Sequence, residues 1–208
     1  MFKVAAARTY YTQAQELSQE EIDNHFNRAY EHNRFLYGIS KSHPYTLLIT
    51  CRAIVPEDYK DILNVGGVMA RLQIPVIGAD LPVLHGTDPE TMLNGVVHIE
   101  GTSFPIGGMG THSALTAHSG MHNVTLFSRL NEMDIGDVFI ISVLDRRLVY
   151  VVDYIRVIMP HEISYLRIVP EADLVTLITC TPITVNTHRL LVRGVRCTAY
   201  DNDATGID

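Results

Sequence analysis

The sequence predicts a mainly β domain, a sandwich or barrel, with helices ahead of it. Three observations carry that prediction. Short apolar, β-branched runs recur from residue 62 to residue 196, separated by turn residues. The earlier part of the chain instead repeats apolar residues at helical spacing. Finally, 208 residues, 47% hydrophobic and 19% charged, suit one globular domain with or without an appendage, long enough to bury a sizeable core.

Residues 7–34 read as helical. Ser18 followed by Glu21 is a capping-box pattern, and Leu17 with Ile22 supplies the matching hydrophobic staple. Ile22, Phe26, Ala29 and Tyr30 then form one apolar stripe, read as a face packed on the domain, with a partner-binding helix as the rival. Ser42-His43-Pro44-Tyr45 is a turn signal, and residues 46–55 are an apolar run. Residues 71–77 read as a strand in which Pro75 marks an edge or bulge. His85-Gly86-Thr87-Asp88-Pro89 is a turn, residues 90–94 a helical turn and residues 96–100 a short strand. A loop at Gly107-Gly108 leads into a strand over 111–118, and Asn123 is placed to cap a helix over 124–133. Residues 138–143 and 148–157 form a hairpin through Asp145-Arg146, and strands over 174–179 and 190–195 complete the set. The division expected is therefore a helical region over 1–61 and a β domain over 62–208. The polar tail, 201–208, should fray.

Composition excludes several classes. A net charge of −7 argues against a nucleic-acid binder. Three cysteines, Cys51, Cys180 and Cys197, are no disulfide framework, and the absence of C-x-x-C argues against a zinc ribbon. No apolar run approaches the ~18 residues of a membrane span. The start, Met1-Phe2-Lys3-Val4, does not read as a signal peptide.

Chemistry concentrates near the end of the chain. The strands ending at Cys180 and beginning near Arg189 are joined by a loop short enough for a hairpin, so the two residues should face each other at its mouth. A fixed cation beside a thiol favours the thiolate. The missing acid or base is found upstream at His118, where a strand runs into Ser119-Gly120. His188 should point away from Arg189, whereas Arg193 shares its parity but lies further along. His112, His118 and His122 offer a metal reading, but His118 and His122 have ligand spacing only on a helix, which Ser119-Gly120 disfavours, so no metal is expected. Leu47-Leu48-Ile49-Thr50-Cys51 echoes the Cys180 segment but lacks the following Thr-Pro and the Arg nine residues on. Cys51 and Cys197 are read as small buried hydrophobes.

Three ordered motifs carry a resemblance: Thr116-Ala117-His118-Ser119-Gly120, then Thr176-Leu177-Ile178-Thr179-Cys180-Thr181-Pro182, then Asn186-Thr187-His188-Arg189-Leu190-Leu191-Val192-Arg193-Gly194. With these the chain resembles a sortase of class C, the pilin-polymerising type. The likeness extends back through His85-Gly86-Thr87 and the stretches 93–103 and 105–108, covering residues 62–196. The resemblance implies a closed β-barrel of about eight strands with N-terminal and short connecting helices, and no cofactor. It implies His118, Cys180 and Arg189 as catalytic residues, with Thr116 and Thr181 at the substrate. It also implies a lid with an Asp-Pro-aromatic plug. Here Pro44 and Tyr45 supply the proline and the aromatic, but His43 stands where Asp is expected, which leaves two readings, Tyr45 covering Cys180 or the segment packing elsewhere.

The activity implied is transpeptidation. Cys180 attacks the Thr–Gly carbonyl of a sorting signal similar to Leu-Pro-x-Thr-Gly, forming a thioacyl enzyme that is resolved by a Lys amine of a pilin subunit. His118 serves as acid then base, and Arg189, with the Thr181 N–H as second donor, steadies the oxyanion. A thiol and an imidazole of ordinary pKa are both ionised in only about one per cent of molecules at neutral pH, so a slow enzyme is expected unless the guanidinium favours the thiolate. The setting implied is the outer face of a Gram-positive cell membrane, with anchoring segments outside this chain and no nucleic-acid partner. The rivals are a sortase that anchors proteins to the cell wall, a cysteine peptidase, and a non-catalytic β-barrel adhesion module.

Overall fold

The computed structural model describes residues 2–42, 55–120 and 126–200. Two helices open the chain, α1 (Phe2–Gln15) and α2 (Gln19–Ser42). The single helical region read from sequence is broken at Ser18 by the capping box itself. The Ser18 N–H and hydroxyl donate to the Glu21 carboxylate at 2.8 and 2.7 Å, and the Glu21 N–H returns a bond to Ser18 Oγ at 3.3 Å. Satisfying the free donors of a helix start ends one helix and begins the next.

Both helices are fastened to the β domain by polar groups. The Tyr10 hydroxyl of α1 donates to Met69 O at 3.0 Å and accepts from Leu144 N–H at 2.8 Å. Asn33 of α2 bonds the Phe104 backbone in both directions, at 3.1 and 2.7 Å. Of the expected stripe, Ile22, Phe26 and Ala29 are buried in the main core, whereas Tyr30 is exposed, its hydroxyl accepting from Arg146.

Eight strands follow: β1 (Ala70–Ile74), β2 (Ala79–His85), β3 (Val96–His98), β4 (Thr111–Thr116), β5 (Val138–Val143), β6 (Arg146–Ile158), β7 (Asp173–Thr181) and β8 (His188–Arg196). They close into a barrel in the order β1-β2-β3-β4-β7-β8-β6-β5. A short helix, α3 (Pro89–Asn94), precedes β3, with Asp88 capping it through a 3.0 Å bond from the Thr91 N–H. The strand expected over 71–77 ends at Ile74, and Pro75 starts a 3-10 turn. Of the helix expected over 124–133, the described part holds only a 3-10 turn at Leu130–Glu132.

Strand β2 escaped the sequence reading because Asp80 and Pro82 interrupt its pattern. The barrel accommodates both. Asp80 takes a two-pronged salt bridge from Arg71 on β1, at 2.7 and 2.8 Å. Pro82 pairs only with β1, because the parallel pairing to β3 begins one residue later at Val83. Its missing N–H therefore costs no bond on the β3 side.

Gly194 of β8 lies under the stacked rings of Phe139 and Tyr150, whose centroids are 5.5 Å apart. A Cβ at Gly194 would come within 2.6 Å of the Phe139 ring and 2.9 Å of Tyr150 Cβ. Gly194→Ala should cost about 1–3 kcal/mol through overpacking. The check is a lower urea midpoint at unchanged denaturant slope; an unmoved midpoint would refute it.

Candidate active site

The site is built by one strand with a neighbour on each side. On one flank β7 pairs antiparallel with β8, and the register sets Cys180 opposite Arg189 and Thr181 opposite His188. On the other flank β7 pairs parallel with β4, in unbroken register from Thr111↔Asp173 to Thr116↔Ile178. Two residues further along both chains, that register reaches His118 and Cys180. The Ala117 N–H bonds Ile178 O at 3.2 Å, and Thr179 Oγ1 donates to Ala117 O at 2.8 Å. Ser119 Oγ then donates to Cys180 O at 2.7 Å. Imidazole, thiol and guanidinium are thus borne by three adjacent backbone segments at one end of the barrel.

Cys180 and His118 are half-buried, open enough for a reagent or substrate to reach. Beside the thiol is a cavity of about 280 Å³, lined among others by Ser119, Phe127, Asn131, Cys180, Thr181 and Ile183. Thr181 therefore borders it directly. Thr116 is differently placed: its hydroxyl donates to Ile178 O at 3.0 Å, joining β4 to β7. A larger cavity of about 470 Å³ lies at the far end of β7, beside Asp173, Tyr30 and Arg146. It is about seven residues from Cys180 along the strand, roughly 23 Å, and contains neither the cysteine nor the histidine.

Arg189 donates to the carbonyls of Asn186 and His188 at 3.1 and 3.0 Å. Among the described residues no carboxylate pairs with it. Arg193, the rival of equal parity, is held by Asp153 through two bonds at 3.0 and 2.6 Å. Its charge is already answered by a carboxylate, whereas among the described residues that of Arg189 is not. His188 carries its own local bond, Nδ1 to Thr187 Oγ1 at 2.9 Å.

His112 contributes no ligand to a metal. Its Nδ1 bonds Arg167 O at 2.8 Å and its Nε2 bonds Thr176 Oγ1 at 2.7 Å, both inside the barrel wall. Burial pushes its pKa down to about 4, so it is a neutral core residue. Cys197 is half-buried. The candidate lid residues Pro44 and Tyr45, together with Cys51, lie outside the described residues.

The sortase domain family matches residues 72–197, which contain all three motifs. The chain belongs to the sortase family. Among solved structures, the sortase C1 of GBS pilus island 1 is 32% identical with a TM-score of 0.86, the alignment covering 99% of this chain and 97% of that one. Sortase C-1 of Streptococcus pneumoniae is 36% identical with a TM-score of 0.82, covering 93% and 98%. Sortase C-1 of Actinomyces oris is 50% identical over 68% of this chain and 80% of that one, with a TM-score of 0.67. Sortase D of Bacillus subtilis (strain 168) is 27% identical over 111 residues, about half of each protein, 53% of both. These likenesses place the sortase in class C, and its closed barrel is the expected fold.

One contact in this sortase had no signal in the sequence beyond its place after the histidine. Ser119 stands in the motif as a bystander, and only the pairing of β4 with β7 brings its hydroxyl onto the Cys180 carbonyl. The same pairing explains Gly120, whose φ is +69 and whose Cβ, if present, would lie 2.3 Å from Ile183 Cγ2. The loop after the histidine and the loop after the cysteine are in contact there.

Proposed function

We propose that this class C sortase polymerises pilin by transpeptidation. Cys180 attacks the carbonyl between Thr and Gly of a Leu-Pro-x-Thr-Gly-like sorting signal, and the C–N bond breaks as the thioester forms. His118 delivers the proton that the departing Gly amine requires. Arg189 stabilises the oxyanion of each tetrahedral intermediate, a task suited to a permanently charged, planar donor. A pilin Lys amine then attacks the thioester, His118 takes its proton, and an isopeptide bond replaces the thioester.

The observation that carries this reading is the register of β7, which sets Cys180 against Arg189 on one side and brings the His118 segment up on the other. The pilus association of class C relatives supports pilin as substrate: one is a sortase of a pilus island, another a pilus-related sortase C. The working location is the outer face of the membrane of a Gram-positive bacterium. Among the described residues no helix is long and apolar enough to cross a membrane.

The test is mass spectrometry of the protein mixed with a Leu-Pro-x-Thr-Gly peptide and a Lys-bearing pilin domain, beside Cys180→Ala. A thioacyl adduct on Cys180, absent from the variant and resolving to an isopeptide-linked product, is the expected result. Under a lid, Tyr45→Ala should raise the rate of adduct formation. Hydrolysis without amine transfer would leave a cysteine peptidase. Transfer to a cell-wall amine rather than pilin would leave an anchoring sortase. No adduct in either form, with Cys180 inert to alkylation, would leave a binding module.

A further inference from the structure

Backbone pairing between β4 and β7 stops one residue short of the histidine. The last backbone bond is Ala117 N–H to Ile178 O, and beyond it the chain turns toward the 126–130 segment. The His118 carbonyl accepts from the Phe127 N–H at 3.1 Å, and the Gly120 N–H donates to Ser128 Oγ at 3.0 Å. Residues 118 and 120 are thus committed away from the Cys180 strand. Between them, Ser119 Oγ reaches back to Cys180 O at 2.7 Å.

That bond acts at both its ends. At the donor end it brackets His118: Ala117 is tied to β7 before it and Ser119 after it, so the histidine cannot swing with its loop. At the acceptor end it holds the peptide plane between Cys180 and Thr181. In a trans peptide the N–H points opposite to the carbonyl, so the Thr181 N–H is turned away from Ser119, toward β8, where the register sets His188 opposite it. One hydroxyl therefore fixes both the segment that carries the acid and the plane that carries the nucleophile.

We infer that Ser119 is a positioning residue for the transpeptidation proposed above, holding His118 in register with Cys180; the inference rests on that reading. Misplacing a reacting group by about 1 Å can cost on the order of 10²-fold in rate. Ser119→Ala should lower kcat by about 10- to 100-fold and leave the KM for the sorting peptide nearly unchanged. Ser119→Thr, which keeps the hydroxyl, should restore most of it. In a His118→Ala background, Ser119→Ala should cost much less than it does alone, because only the part exerted through the Cys180 peptide plane remains.

A second readout needs no substrate. The pH dependence of Cys180 alkylation by iodoacetamide should change in Ser119→Ala and match wild type in Ser119→Thr. Wild-type kcat together with a wild-type alkylation profile in Ser119→Ala would overturn the inference. So would a full additional loss in the His118→Ala background. If wild-type protein forms no thioacyl adduct but the alkylation profile changes as stated, the sorting reading fails while the positioning of His118 stands.

Discussion

Replacing His118 by Ala should lower transpeptidation by about 10²–10⁴-fold while leaving the fold intact and Cys180 open to alkylation, with an altered pH dependence. The expected loss is large because expulsion of the Gly amine needs a proton at the moment the C–N bond breaks. Among the described residues beside Cys180 nothing else supplies one: Arg189 does not give up its proton, and Ser119 Oγ is engaged with Cys180 O. The expected preservation of fold follows from the backbone, since the recorded tie at this residue is the Phe127 N–H bond to the His118 carbonyl, which alanine keeps. His188 is the informative control. It is adjacent to Arg189 and opposite Thr181, but its ring is bonded to Thr187. His188→Ala should change kcat by less than about threefold, an effect too small for loss of a general acid. Steady-state rates of the two variants decide between them, and a larger loss from His188→Ala would reverse the assignment.

The second large effect concerns stability in acid. His98 and His112 are buried, and burial drives their pKa values down to about 3 and about 4. Each is satisfied as a neutral ring. His98 Nε2 donates to Ser103 O at 2.9 Å and its Nδ1 accepts from the Tyr59 hydroxyl at 2.8 Å. His112 repeats the pattern with Arg167 O and Thr176 Oγ1. Burial shifts His25, His32 and His85 in the same direction.

For all of these the unfolded chain binds the proton more readily, so stability rises with pH through the interval between the two pKa values. Their contribution is complete above the unfolded value near 6.5 and is lost as pH falls toward 4. Asp173 works in the opposite sense, since burial raises its pKa, but its interval opens only near the ordinary carboxylate range. His98 and His112 alone imply a loss of about 2–3 kcal/mol per pH unit between roughly pH 6 and pH 4. Urea unfolding at pH 7, 6 and 5 measures it. A midpoint that stays level to pH 5 would mean that these rings are already protonated in the folded protein.

Half of the candidate site was legible because it is local. Cys180 and Arg189 belong to two strands joined by a short loop, so alternation and hairpin geometry suffice to set them face to face, and the observed register does so. The turn at 85–89, the short helix after it and the hairpin at Asp145-Arg146 were legible for the same reason. The capping box at Ser18 was also visible, though its consequence, two helices in place of one, was not drawn from the pattern. Strand β2 stayed hidden because its Asp and Pro make sense only beside Arg71 and ahead of the β3 pairing.

The sequence by itself determined most of the elements and the facing of Cys180 and Arg189, since each follows from residues a few positions apart. Only the tertiary structure decided the rest. The His118 segment comes up beside the Cys180 strand through a parallel pairing between β4 and β7, two strands that two others, β5 and β6, separate along the chain. Parallel neighbours leave no turn signal, because the crossover that joins them is long. The fate of Arg193, paired with Asp153, and the bond from Ser119 to Cys180 O likewise depend on which strands become neighbours. Spacing along a chain specifies contacts within a hairpin; contacts across a barrel are fixed by the order in which its strands close.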